Sequence, residues 1–202
     1  MNLFNRLSKR SRAVVGLLIL ILAFYLLWSF VMADGNFVPK EFREANKQGA
    51  LIASNIVSLS KNTADNLEQI NVLDQNREYK KAMELVKMEV EKNNELQKQA
   101  YELSERLAEM GESLQDIKPR QATEVAVRAL NYETSLIIRL LNYSGFLDEL
   151  LLSLQAKFSG QYVPDGQVAE LVAKINSESA TINILNEEYK KAIEEFEMWV
   201  GK

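Results

Sequence analysis

Residues 168–199 read VAELVAKINSESATINILNEEYKKAIEEFEMW. Val168, Ile175, Ile182, Tyr189 and Phe196 recur every seven residues, and Leu171, Glu178, Leu185, Ala192 and Trp199 follow them by three. Seven residues make almost two helical turns, so both sets fall on one side of a helix. They form an apolar seam that only Glu178 interrupts.

The same spacing runs through the preceding residues. Phe42, Gly49, Ile56, Thr63 and Ile70, with Ala45, Ile52, Leu59, Asn66 and Leu73, predict a first helix whose seam turns polar near its end. Tyr79, Val86, Asn93, Ala100, Leu107 and Leu114, with Ala82, Glu89, Leu96, Leu103, Met110 and Ile117, predict a second helix to about Asp116. Asn66 and Asn93 read as polar residues that fix the alignment of the helices. A third helix, 120–158, is the most apolar, with Leu136, Ile137, Ile138, Leu140 and Leu141 followed by Leu147, Leu150, Leu151, Leu152 and Leu154. As a membrane span it fails. Its Leu, Ile and Phe residues favour insertion by roughly 3–7 kcal/mol, whereas Arg139, Asp148 and Glu149 cost about 8–10. A wide apolar face is what the central helix of a bundle requires.

The breaks fit this division. Val38-Pro39 starts the first helix, and Asn71–Asp74 reads as a turn with Asp74 capping the second. Lys118-Pro119 ends the second helix, and Ser144-Gly145 is a candidate kink in the third. Ser159–Gln167, with Gly160, Pro164 and Gly166, is the clearest loop, and Asp165 can cap the last helix. No segment alternates as a strand does. Helices joined by short turns run antiparallel to their neighbours. The expected fold is therefore all-α: an elongated antiparallel up-down-up-down four-helix bundle over 39–202, packed like a coiled coil. At ~1.5 Å per residue it stands about 50 Å tall.

Upstream, residues 13–32 read AVVGLLILILAFYLLWSFVM without a charge. A helix of about twenty residues spans the roughly 30 Å hydrocarbon core, so 13–33 is expected to be a transmembrane signal-anchor helix. Residues 1–12 carry Arg6, Lys9, Arg10 and Arg12 and no acid. The positive-inside rule makes them a short cytoplasmic tail and places the bundle, after a linker at 34–38, outside the cytoplasm. Arg10 and Arg12 on one side and Tyr25 and Trp28 on the other are expected at the membrane interfaces. Trp199, at the returning end of the last helix, either joins them or closes the bundle seam. Cleavage after Ala33 is the alternative, which would release a soluble exported bundle, but the run exceeds the ~7–15 residues of a signal core.

Composition bounds the chemistry. The 202 residues include no Cys and no His, which removes disulfides, thiol nucleophiles and the commonest general base and metal ligand. Of 24 basic residues four lie in the tail, leaving 20 against 28 acidic ones, a balance of −8 that argues against nucleic acid. No phosphate loop or nucleophile elbow occurs. Ferritin-like metal sites need Glu-x-x-His pairs that this chain lacks. Glu89, Glu133 and Glu178 are acidic seam residues that, if they converged, could hold a hard cation. Pairing with Lys or Arg is the simpler expectation. Tyr101, Tyr132, Tyr143 and Tyr162 either line an inter-helix pocket or pack. Asn142-Tyr143-Ser144 matches a glycosylation acceptor but falls in the most apolar helix.

No catalytic, cofactor-binding or metal residue is assigned, and no enzyme activity or cofactor is expected. The expected function is a single-pass, inner-membrane protein displaying a non-catalytic interaction or scaffold module. Its partners are the bilayer and another protein, a homo-oligomer is compatible, and Tyr162 and Val163 on the loop are the partner-facing residues. The alternative is a small-molecule-sensing or regulatory subunit of a membrane complex.

Overall fold

The computed structural model describes residues 38–60 and 62–200. The expected tail 1–12, the transmembrane helix 13–33 and all of the linker except Val38 lie outside the described residues. Arg10, Arg12, Tyr25 and Trp28 lie outside with them. The described residues are all-helical, with no strand among them: α1 (Lys40–Ser60), α2 (Thr63–Gln75), α3 (Tyr79–Glu112), α4 (Arg120–Phe158) and α5 (Gln167–Val200). A 3₁₀ turn, Leu114–Asp116, leads from α3 towards α4. No described helix, α4 included, is long and apolar enough to cross a membrane.

The first arm of the bundle is two helices rather than one. Ser58, Ser60, Asn62 and Thr63 crowd the break, and such side chains offer the backbone alternative hydrogen bonds. Ser60 Oγ donates to the Ile56 carbonyl at 2.8 Å, and α2 restarts with Asn66 N–H donating to the Asn62 carbonyl. The seam survives the break, because Ile56, Thr63 and Ile70 are all buried. α4 is continuous through Ser144-Gly145.

Which residues meet fixes the topology. At the end where the chain enters, Phe42 of α1, Met110 of α3, Ala126 of α4 and Phe196 of α5 surround one small space. At the far end Leu67 and Ile70 of α2, Val86 of α3, Leu147 to Leu154 of α4, and Leu171 and Ile175 of α5 form a second cluster. Starts therefore meet ends, and successive arms are antiparallel.

α3 buries the expected seam from Ala82 and Val86 through Leu103, Leu107 and Met110. The flanking helices keep most of it, with Phe42, Ala45, Gly49, Ile56, Thr63 and Ile70 buried in the first arm and Leu171, Ile175, Tyr189, Ala192 and Phe196 in α5, but widen it to one side. In α5 Ser179, Asn186, Ile193 and Val200, four residues after the seam positions, are buried, while Leu185 is half-buried and Trp199 is 40% exposed. In the first arm Asn46, Ala53, Ser60 and Leu67 are buried, while Ile52, Leu59, Asn66 and Leu73 are half-buried. The reason is packing. α3 lies between α1 and α4, and α4 between α3 and α5, whereas α1 and α5 meet through long side chains such as Phe42 and Phe196, whose rings are 6.1 Å apart. At about 100° per residue the position four on lies about 40° to one side of the seam, and that three on about 60° to the other. A flanking helix turned towards its one close neighbour buries the position four on more fully and lifts part of the position three on, such as Leu59 and Leu185, towards the edge.

Two expected caps are corrected. Asp74 does not cap α3; it sits in the last turn of α2, which runs to Gln75, and its carboxylate pairs with Lys157 of α4. The turn comes after it, at Asn76–Glu78. Asp165 does not cap α5, because the Gly166 carbonyl accepts the first helical bond, from Glu170 N–H.

Candidate functional site

The far-end loop is held from both sides. α4 closes with Gln161 N–H on the Ala156 carbonyl and Gly160 N–H on the Lys157 carbonyl, Gly160 taking φ 75°. This pair of bonds satisfies the last carbonyls of the helix and needs a left-handed residue, which Gly supplies. Gly166, at φ 87°, turns the chain into α5. Between them Tyr162 is 85% exposed and Val163 half-buried. Both line an open groove with Glu149, Leu152, Ser153, Ala156 and Gln167. Gln167 Nε2 donates to Ser153 Oγ at 3.2 Å and pins the groove floor. Leu152, 60% exposed, is the member that belongs to the apolar run of the third helix. Its neighbours Leu150, Leu151 and Leu154 are buried, so in a run this apolar only the helical phase of the flanking residues separates it from them.

The three seam carboxylates do not converge. Glu89 Oε1 accepts from Asn66 Nδ2 at 2.5 Å and Lys92 Nζ at 2.8 Å. Glu178 faces Arg139 at 3.4 Å. Glu133, 4% exposed, accepts a hydrogen bond from Tyr189. Among the described residues no three acidic side chains are grouped to hold a metal. Burial pushes the Glu133 carboxyl up to about 7, against the smaller opposing pull of the Tyr189 hydroxyl. Burial, reinforced by the charge of Glu89, pushes the Tyr143 phenol up to about 12.

Between α3 and α4 lies a polar lock. Ser144 Oγ donates to Asn93 Oδ1 at 2.7 Å, and Asn93 Nδ2 donates to the Ser144 carbonyl at 2.9 Å and to Asp148 Oδ1 at 2.7 Å. Gln97 Nε2 completes it on Asp148 Oδ2 at 2.8 Å. The hydroxyl of the Asn142-Tyr143-Ser144 sequon is thus buried. The tyrosines share no pocket: Tyr143 is buried, Tyr132 half-buried, and Tyr101 59% exposed.

A second set of polar residues, Asn46 and Asn186, was missed. They are 2% and 1% exposed, and among the described residues Asn46 Nδ2 and both amide atoms of Asn186 have no hydrogen-bond partner. Their signal lay in the series four residues after the seam. Trp199 does not close the seam; Phe196 and Val200 do, and Trp199 stands exposed beside Met198 at the entry end. No family model, curated protein or solved structure matches the chain.

Proposed function

We propose that this chain is a non-catalytic interaction module, a helical bundle held at the inner membrane by residues 13–32, with its far end offered to a protein partner outside the cytoplasm. The observation that carries the reading is Tyr162. An aromatic ring left 85% exposed on a loop fixed at both ends, over a groove with an exposed Leu152, is the kind of anchor that interfaces use. The uncharged run and the basic residues before it support the membrane placement.

A sensing role for the bundle interior ranks second. The space between the helices at the entry end is about 10 Å³, room for one water and not for a metabolite.

Cross-linking in intact membranes tests the leading reading. Tyr162→Ser combined with Val163→Ser is expected to weaken capture of the partner at least tenfold with helicity unchanged. Undiminished capture removes the loop from the interface.

A further inference from the structure

The outward side of the α3–α4 pair carries a pattern that neither the core nor the Tyr162 loop uses. Gln97 of α3 donates to Asp148 of α4, which marks the line where these two antiparallel helices meet. Val90 and Ser104 stand seven residues to either side of Gln97, and Asn94, Tyr101 and Ala108 follow these three by four. Leu141, Thr134 and Val127 step back from Asp148 in sevens, followed at four by Gly145, Ile138 and Asn131. At about 100° per residue each set keeps to one side of its helix, so two stripes border one groove. Tyr101 is 59% exposed, Ile138 53% and Val127 40%. Although 26% of the chain is charged, the stripes hold no charge except Asp148, whose carboxylate accepts from Asn93 and Gln97. Gly145 lies inside α4, where Gly costs roughly 0.5–1 kcal/mol against Ala. A Cβ on it would meet nothing within 4 Å, whereas one on Gly49 would press on Leu103. Close packing within the chain accounts for Gly49 and not for Gly145.

We propose that this groove is where two copies of the chain meet, related by a two-fold axis along the helices, with α3 of each copy lying on α4 of the other. Charge favours a second copy as the occupant. Beyond residue 12 the chain carries 28 acidic residues against 20 basic ones, so most of its surface repels a copy of itself, and an uncharged face does not. The ends of the stripes complement one another. Lys87 and Glu112 flank the α3 stripe, and Arg120 and Glu149 the α4 stripe, all four exposed. Lys87 and Glu112 hold no ion pair among the described residues. Because α3 and α4 are antiparallel, Lys87 and Glu149 lie towards the far end, and Glu112 and Arg120 at the entry end. An axis along the helices sets Lys87 against the partner's Glu149, and Glu112 against the partner's Arg120. An axis across the helices would instead set Lys87 against the partner's Glu112. The first keeps both entry ends on one side, as the proposed membrane placement requires, and this choice of axis rests on that reading. The area suffices for a dimer of modest affinity. From Val127 to Gly145 a helix rises about 27 Å, and two helices side by side are about 20 Å wide, which gives on the order of 500 Å² per copy and about 1,000 Å² in all, the lower bound for a specific interface.

Sedimentation equilibrium of the full chain in detergent tests this and is expected to show monomer and dimer in exchange. Gly145→Leu fills the groove where the chain itself leaves space, so it should raise the dimer Kd at least tenfold with Tm unchanged or higher. Ile138→Glu, at an exposed position, should do the same. Tyr162→Ser combined with Val163→Ser should leave the dimer Kd unchanged, which separates this face from the partner-facing loop. Lys87→Glu should weaken the dimer about threefold, and adding Glu149→Lys should restore it. A chain that stays monomeric at every concentration overturns the second copy as occupant. A dimer that survives both Gly145→Leu and Ile138→Glu, or that is lost with Tyr162 and Val163, overturns this groove as the interface. Restoration of Lys87→Glu by Glu112→Lys in place of Glu149→Lys overturns the axis along the helices.

Discussion

Asn93 and Asn186 are both asparagines on the buried face of a long helix, 2% and 1% exposed, and hydrogen bonding separates them. Asn93 uses both ends of its amide: Oδ1 accepts from Ser144, and Nδ2 donates to the Ser144 carbonyl and to Asp148. Asn186 finds no partner for either end among the described residues. Removing one member of a satisfied buried set leaves the others unpaired, whereas removing an unpaired amide relieves a desolvation penalty, each worth about 1–3 kcal/mol. One substitution should therefore act with opposite signs. Asn93→Leu is expected to lower the unfolding free energy by about 1–3 kcal/mol, and Asn186→Leu, with the same branched skeleton of heavy atoms, to raise it by about 1 kcal/mol. Urea unfolding followed by helicity measures both, and midpoints shifted in the same direction would refute this reading of the two sites. The Asn93 lock was legible in the sequence, because a polar residue at a seam position asks for a partner on the facing helix. Asn186 was not, since it becomes a core residue only through the rotation of α5.

The ends of α2 and α4 show how far local signals carry at the scale of an element. Both close with the same pair of bonds: Glu78 N–H to the Leu73 carbonyl and Arg77 N–H to Asp74 in α2, and Gln161 to Ala156 and Gly160 to Lys157 in α4. The residue that must turn left-handed is Gly160 in one and Arg77, at φ 60°, in the other. A residue with a Cβ resists that conformation by roughly 1–2 kcal/mol, part of which Gly returns as lost chain entropy. Arg77→Gly is thus expected to stabilise the protein by about 0.5–1 kcal/mol and raise Tm by about 2–4 °C, measured by calorimetry. A lowered Tm would mean that the Arg77 side chain contributes more than its backbone costs. This difference explains why the loop after α4 was visible in the sequence and the turn after α2 was placed too early. Gly160, Pro164 and Gly166 announce themselves, whereas nothing in Asn76-Arg77-Glu78 does, and Asp74 resembled a cap. The break after Ser60 was hidden because the seven-residue spacing of Ile56, Thr63 and Ile70 runs straight across it.

Across the whole molecule, the two ends of the bundle are built differently. Where α1 packs near the entry end it contributes Ala45, Gly49, Ala50 and Ala53, and a Cβ on Gly49 would stand 3.3 Å from Leu103, so α1 lies close to α3 on small side chains. The far end buries Leu147, Leu150, Leu151, Leu154, Leu171 and Ile175 together. At roughly 25 cal/mol per Å² of apolar surface, each buried Leu contributes more than an Ala or Gly can. α1 has one close helical neighbour and reaches α5 through Phe42 and Phe196. It also ends at the Ser60 break, so it can part from the bundle without unwinding α2. Local opening tracks such differences in buried contact. Hydrogen exchange of the full chain should accordingly find amides of residues 42–58 exchanging at least tenfold faster than those of 147–154. Equal protection of the two segments would mean that the aromatic contact with α5 holds α1 as firmly as the leucine cluster holds α4. In the opposite case the far end is the rigid one, and Tyr162 stands on it. The loop thus presents a preformed surface, while the adjustable part of the bundle lies at the end where the described chain enters, around Phe42 and Phe196.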